Sequence, residues 1–258
     1  MRLKYKRRSS AAALWSKRLG LFAFVLLAVS VAANRLSLLT TADLYTMVGV
    51  VSAVALFVLL LSAIGFRALW ANGDRGGIWA ATGIFFALLC LAPVAWFGLL
   101  AVTLPPLHDV STDLEDPPPF APTNRGNERG GNALDTLPAE TVRLQPAAYP
   151  AVQGRRYDEP SDVVVRAALS VLETRGWSVV AQTGQAGPEG ATLIDTRYSS
   201  LVTGFGYSIV LRISDEADTS YVDMRAAAHF GRHDFGADAR LIEDFLHDLD
   251  FAVATLAN

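Results

Sequence analysis

The chain has 258 residues, room for one large domain or two small ones, and a formal net charge of −3. That near-neutral total hides two unlike parts. Residues 1–104 carry ten Lys/Arg against Asp43 and Asp74, a net of +8, whereas residues 105–258 carry twelve Arg against twenty-three Asp/Glu, a net of −11. An acidic second part excludes nucleic acid as the expected partner, because phosphate binding draws its affinity from Lys and Arg. The one cysteine, Cys90, excludes an intramolecular disulfide, a Cys-x-x-Cys site, and a cysteine nucleophile anywhere beyond residue 104.

The first 104 residues read as a membrane domain with three transmembrane helices, at about 13–33, 44–66 and 78–104. The second and third contain no charge. At about 1.5 Å per residue each exceeds the roughly 30 Å hydrocarbon thickness. Pro93 lies inside the third, which membrane helices tolerate. The first segment has two readings. Leu19 to Ala33 is short for a span and lengthens if Lys17 and Arg18 snorkel. Alternatively it is a signal peptide ending at Val31-Ala32-Ala33. The length of its basic region favours the anchor.

Arg2, Lys4, Lys6, Arg7, Arg8, Lys17 and Arg18 precede the first helix, and Arg67 and Arg75 separate the second from the third. Only Arg35 stands in the first connection. The positive-inside rule therefore puts the N-terminus in the cytoplasm and everything beyond about residue 105 outside, which is the periplasm in a bacterium with two membranes. The second and third spans lack the ionisable groups that pumps and ion-coupled transporters carry. Gly49 with Ala53, and Gly83 with Ala87, have the small-residue spacing of helix contacts.

Residues 105–160 hold ten of the twelve prolines and are expected to form an extended linker, with a flexible tip at 124–132 and with Phe120 and Tyr149 as packing points. Its start, His108 to Pro118, mixes a histidine with several carboxylates, a composition able to bind a divalent cation. A proline-rich segment fixes no ligand geometry, so the preferred reading is an acidic turn leaving the membrane.

A soluble α+β domain is expected over 161–258. Val164, Val165, Ala168, Val171 and Leu172 recur at helical spacing after Pro160-Ser161-Asp162, where Ser161 or Asp162 is expected to cap, and Gly176 closes the helix. Strands are predicted at 177–181, 191–198, 207–213 and 221–227, with a turn at 183–190. A last helix carries Leu241, Ile242, Phe245, Leu246, Leu249 and Val253 as its stripe. The order α-β-β-β-β-α predicts a four-stranded antiparallel sheet with two helices on one face, its other face polar and solvated.

That polar face gathers Asp195, Arg197, Arg212, Asp223 and Arg225, and convergent arginines can hold an anion bidentately. Paired with Asp they make cross-strand ion pairs instead. The turn from His229 through Arg232, His233 and Asp234 to Gly236 enters the last helix, whose free amide groups suit an anion, with His229, Arg232 and Arg240 at hand. The same turn also reads as a plain helix start capped by Asp234. The candidate ligand-binding residues are therefore Arg197, Arg212, Asp223, Arg225, His229, Arg232, Asp234 and Arg240. No Gly-x-Ser-x-Gly elbow, His-Glu-x-x-His or dinucleotide fingerprint is present, so no catalytic residue, metal or cofactor is expected.

Two stretches resemble an uncharacterised bacterial family, domain-of-unknown-function family 1499. One is Asp109-Val110-Ser111-Thr112-Asp113 with Asp116-Pro117-Pro118 and Phe120. The other is Val222-Asp223-Met224-Arg225 with Gly231, Asp234, Gly236 and Ala239-Arg240; Tyr149-Pro150 and Gly176-Trp177 fall between them. The resemblance spans about 108–250 and implies a membrane-anchored or exported protein, with no activity attached. The chain departs from the family pattern at Ala226, Ala228 and His229, at Tyr207-Ser208, and at His233 and Asp238, where the family tends to have Ser and Asn. The reading is a membrane-tethered extracytoplasmic binding or assembly module whose partners are the lipid bilayer and either a protein or a small anionic ligand. The rivals are a hydrolase or transferase using the Arg/Asp/His surface, and a scaffold acting through its membrane helices.

Overall fold

The computed structural model describes residues 9–124, 131–184, 190–216 and 219–256. The basic residues from Arg2 to Arg8, most of the tip expected at 124–132, and the centre of the turn expected at 183–190 lie outside them. The chain divides into two compact units, Met1–Leu99 with Val202–Gly204, and Leu100–Leu201 with Phe205–Asn258.

The first unit is built on helices α1 (Ala11–Arg35), α2 (Thr41–Asn72) and α3 (Gly77–Thr103), each long and apolar enough to cross a membrane. The ends are locally encoded. The Ser10 hydroxyl accepts from the Ala13 N–H, Thr40 and Asp43 form a reciprocal capping box, and Gly73 closes α2 in the left-handed conformation. Large side chains such as Leu56, Phe57 and Phe85 face outwards while Ala23, Ala55, Ala87 and Gly83 lie inside. A Cβ added at Gly83 would stand 2.8 Å from the Ser16 backbone, so glycine is what lets α1 and α3 touch there. Gly49 has nothing within 4 Å and Ala53 is exposed. Of the two small-residue pairs, only Gly83 with Ala87 is a helix contact.

The second unit is a six-stranded antiparallel sheet with two long helices on one face. Its strands are β1 (Asp109–Ser111), β2 (Arg155–Tyr157), β3 (Ser178–Thr183), β4 (Ala191–Ser199), β5 (Gly206–Glu216) and β6 (Thr219–Ala228). The order is β1-β6-β5-β4-β3, and β2 sits beside β1 on the same edge of β6. Four of the six strands match the sequence expectation. The extra two correct both the four-stranded sheet and the extended linker. Each has three residues, too few to display alternation, and each takes its place by pairing with β6 rather than from its own pattern. The same segment also holds α4 (Ala139–Ala148), whose buried side chains, Thr141 and Gln145, are polar and so invisible to an apolar-periodicity search. Thr141 donates to the Asp109 carbonyl and Gln145 bonds both the N–H and the carbonyl of Ser111, pinning β1.

Strand alternation directs Tyr207, Ile209, Leu211 and Ile213 of β5 to one face, opposite Ala228, Ala226, Met224 and Val222 of β6. Helices α5 (Ser161–Thr174) and α6 (Ala237–Leu256) cover that face with Val164, Ala168, Leu172, Ile242, Phe245 and Leu249, all buried. Each full burial of a Val, Leu, Ile or Phe side chain contributes about 1.5–3 kcal/mol. The start of α5 departs from expectation: neither Ser161 nor Asp162 caps it. Ser161 bonds Asp215 and Asp162 pairs with Arg166, one turn on. Gly176, at φ +68°, does close the helix.

Candidate functional site

The opposite face of the sheet carries the charged side chains. Register sets Arg212 directly across from Asp223 and brings Asp195, Val210 and Arg225 into one row across three strands. Five of the eight candidates share this face or its rim: Arg197, Arg212, Asp223, Arg225 and His229. The face is not solvated. The chain from Thr112 to Asn124, and again around Leu134, runs over it, with Phe120 and Leu134 packed on Val210, Ala227 and Leu193.

Every charged group there is engaged by that cover or by its own neighbour. Arg225, 1% exposed, makes a bidentate pair with Asp109, Nε to Oδ1 at 2.9 Å and Nη2 to Oδ2 at 2.7 Å. Its guanidinium lies 4.6 Å from the centre of the Phe120 ring. Burial raises the Asp109 carboxyl, and Arg225 pulls in the other direction, holding the carboxylate as its acceptor. Arg212 meets Asp223, Asp113 and Asp116, each at 2.8 Å. Asp223 also accepts from Thr112, whose hydroxyl in turn accepts the Met224 N–H. Although burial tends to raise Asp113, the N–H groups of Asp116 and Glu115 and the Arg212 charge hold it below the ordinary carboxylate value. Asp195, raised by burial, accepts from the Ala121 N–H and the Asn124 amide. Arg197 donates to the Thr123 carbonyl.

His229 and Ser208 have the spacing of a base and a nucleophile, 2.8 Å between Nε2 and Oγ. Their hydrogen bonds run the wrong way for that chemistry. The Ser208 hydroxyl donates to the Asn124 carbonyl, so the histidine must donate through Nε2–H rather than accept. Both residues are buried, and burial followed by the nearby Arg197 charge pushes His229 down to about 4. The imidazole is neutral and structural. A Cβ at Gly206 would come within 2.6 Å of Nδ1, so glycine at 206 makes the room for the ring.

The other three candidates, Arg232, Asp234 and Arg240, cluster at the start of α6. Its anion site is filled from within: the Asp234 carboxylate accepts the N–H groups of Gly236 at 3.0 Å and Asp238 at 2.6 Å. His233 accepts the Phe235 N–H on Nδ1 and faces the Leu104 carbonyl with Nε2, so the two histidines serve separate bonds. Among the described residues no group of three or more His, Cys, Asp or Glu is arranged to hold a metal. Arg240 donates to the Phe235 carbonyl, and it and Arg232 remain exposed.

The sequence reading missed Asp238. It is fully buried and faces Asp234 and Asp109; no donor reaches either oxygen at hydrogen-bond geometry, since the nearby Ala228 N–H, which pulls weakly on the carboxyl, donates to the His108 carbonyl. Burial first, then those two carboxylates, raises its pKa well above the ordinary value. Protonated, it can donate to Asp234; ionised, it meets two carboxylates and has only the Ala228 N–H to set against them. The signal was present in the family resemblance, where Asn, the uncharged isostere, tends to stand at this position.

The fold and this face define a chain with three membrane-length apolar helices and an α+β domain whose polar sheet face is internally paired. The chain belongs to the family described as "Protein of unknown function (DUF1499)", which matches residues 109–249. The match begins at Asp109, the partner of Arg225, and includes the covering segment as well as the sheet. No curated protein matches the chain. Among solved structures, CalU16 from Micromonospora echinospora is similar at 17% identity and a TM-score of 0.23, over 40% of this chain and 83% of that one. A putative uncharacterised protein from Bacillus thuringiensis is similar at 11% identity and a TM-score of 0.24, over 41% and 97%.

Proposed function

We propose that the protein is a membrane-tethered, extracytoplasmic binding or assembly module that works through its outer surface and carries out no reaction. The observation that carries this reading is the fate of the polar sheet face. Arg212, Asp223, Arg225 and His229, the groups best suited to bind a substrate or move a proton, lie beneath the chain's own segment. Arg212 bonds that segment's Asp113 and Asp116, Asp223 its Thr112 and Arg225 its Pro118 carbonyl, while His229 is held by Ser208. Arg232 and Arg240 are the candidates left exposed to solvent, and they flank the start of α6. Two guanidinium groups on an otherwise acidic domain suit an acidic partner surface. The positive-inside asymmetry and the three apolar helices support an inner-membrane tether with the domain in the periplasm.

Photo-crosslinking from position 232 of the full chain in its own membrane tests the role. A discrete protein adduct, lost in the Arg240→Glu variant, is expected. Absence of an adduct, together with turnover of a chromogenic ester or phosphate that Ser208→Ala abolishes, would favour the enzyme. For the side of the membrane, a cysteine at Glu173, in a Cys90→Ala background, should react with an impermeant maleimide on intact spheroplasts. Protection there would reverse the topology.

A further inference from the structure

Among the described loops of the domain, the tip between β4 and β5 stands out by its exposed apolar side chains. Leu201 and Val202 are 76% and 73% exposed, and residues 199–206 carry no charge. Val202–Gly204 belong to the same compact unit as the three apolar helices. Within that unit the Thr203 carbonyl accepts a hydrogen bond from the Asn34 side chain, in the last turn of α1, and Gly204, at φ +75°, lies against the Arg35 backbone. A Cβ at 204 would stand 3.0 Å from Arg35 Cα, so this approach needs glycine twice over, for its backbone angle and for its lack of a side chain. Just past Arg35, in the α1–α2 turn, Leu36 and Leu38 are also exposed, at 69% and 74%.

Val202–Gly204 are therefore held at the last turn of an apolar helix, with the Val202 side chain turned outwards. A water-facing loop gains nothing from such residues, whereas a loop at a bilayer boundary does. Its backbone is also provided for: the Ser200 N–H donates to the Phe205 carbonyl, and Thr203 has Asn34. That lets a non-helical segment approach lipid without leaving those groups bare. We propose that Val202 is a second membrane contact, seated in the headgroup–acyl boundary of the bilayer that α1–α3 cross. The inference rests on the membrane reading of those helices.

The test places a fluorescent NBD label by Val202→Cys in a Cys90→Ala background, in the full chain reconstituted into phosphatidylcholine vesicles. Leu56→Cys, outward-facing at the middle of α2, reports on the span, and Glu173→Cys, exposed on α5, reports on water. Doxyl-labelled phosphatidylcholine quenches from the lipid and iodide from the water. At 202 the expected result is a blue-shifted emission, loss of intensity with a shallow doxyl group and resistance to iodide; at 56, loss with a deep doxyl group. If 202 follows 173 while 56 behaves as a span, the loop contact is wrong and the tether stands. A blue-shifted 202 label that neither agent quenches means a protein covers the tip, which also overturns the inference. If 56 itself is open to iodide and closed to doxyl lipid, the membrane reading falls, and the loop contact with it.

Discussion

The two faces of the sheet are both buried, and by opposite means. On one face β5 and β6 present Ile209, Leu211, Met224 and Ala226 to two amphipathic helices, a non-directional contact that tolerates change of shape better than change of polarity. On the other, the same strands present Ser208, Arg212, Asp223 and Arg225 to an irregular segment that meets them bond by bond, through Asn124, Asp116, Thr112 and the Pro118 carbonyl. Apolar burial is forgiving and legible in sequence. Polar burial demands that every group be satisfied, and the partners can come from anywhere in the chain.

The largest expected effect breaks the polar face while leaving the apolar one intact. Removing one member of the buried pair, Arg225→Ala or Asp109→Ala, strands a charge and should cost about 3–5 kcal/mol in denaturant melts. Replacing both together, Arg225→Met with Asp109→Leu, should cost much less than the sum. That non-additivity separates an ion pair from two independent contacts.

Acid should act on the same face. The His229 pKa falls from 6.5 to about 4 on folding, so between those values the unfolded chain binds the extra proton. Stability from this group is complete above 6.5 and is lost as pH drops through the window, by on the order of 2–3 kcal/mol. His229→Gln keeps a donor near Nε2 and should flatten that limb of a stability-versus-pH curve.

Asp238 has the opposite sign. Its folded pKa is raised, so the native state holds the extra proton above the ordinary carboxylate pKa, and stability falls as pH rises through the window up to the folded value. The slope approaches about 1.4 kcal/mol per pH unit where a full proton separates the two states. Asp238→Asn should therefore raise the melting temperature at neutral pH, and the gain should vanish as pH is lowered below the ordinary carboxylate range. An Asp238→Asn variant that is less stable at neutral pH would mean that the native carboxylate is ionised and held by a donor such as the Ala228 N–H.

At the small end, Asp116→Ala should change stability by less than about 0.5 kcal/mol. The Asp116 side chain is 85% exposed although it bonds Arg212, and solvent screens such pairs.

The same contrast explains what could be read in advance. The three apolar helices were legible from unbroken apolar length, and α5, α6, β4, β5 and β6 because each buries a regular stripe whose period the residues spell out; β3, at the sheet edge with no side chain fully buried, was legible from its β-branched composition. The polar face was legible in membership, since Asp195, Arg197, Arg212, Asp223 and Arg225 alternate with apolar neighbours. Its covering was not. Asp109 finds Arg225 116 positions away, and Asn124 reaches Asp195, Thr196 and Ile209 from a segment rich in proline. Proline signalled a loop correctly, but an irregular segment with its polar groups satisfied can be as well packed as a helix. Asp238 was missed because a helix-start aspartate ordinarily faces water; only its neighbours, Asp234 and Asp109, make it exceptional.

The central claim is that residues 112–124 are a fixed part of the folded domain, closing the polar face, rather than a tether lying loosely upon it. Hydrogen exchange read by mass spectrometry on the full chain in detergent micelles tests it at three amides: Thr112, bonded to the Met224 carbonyl, Ala121, bonded to Asp195, and Asn124, bonded to the Ala121 carbonyl. The account predicts that Thr112 and Ala121 exchange as slowly as β5 and that Asn124 follows closely, all three accelerating together in Arg225→Ala. Exchange of Thr112 and Ala121 within seconds while β5 stays protected would contradict it, reopening the polar face as a surface for a ligand.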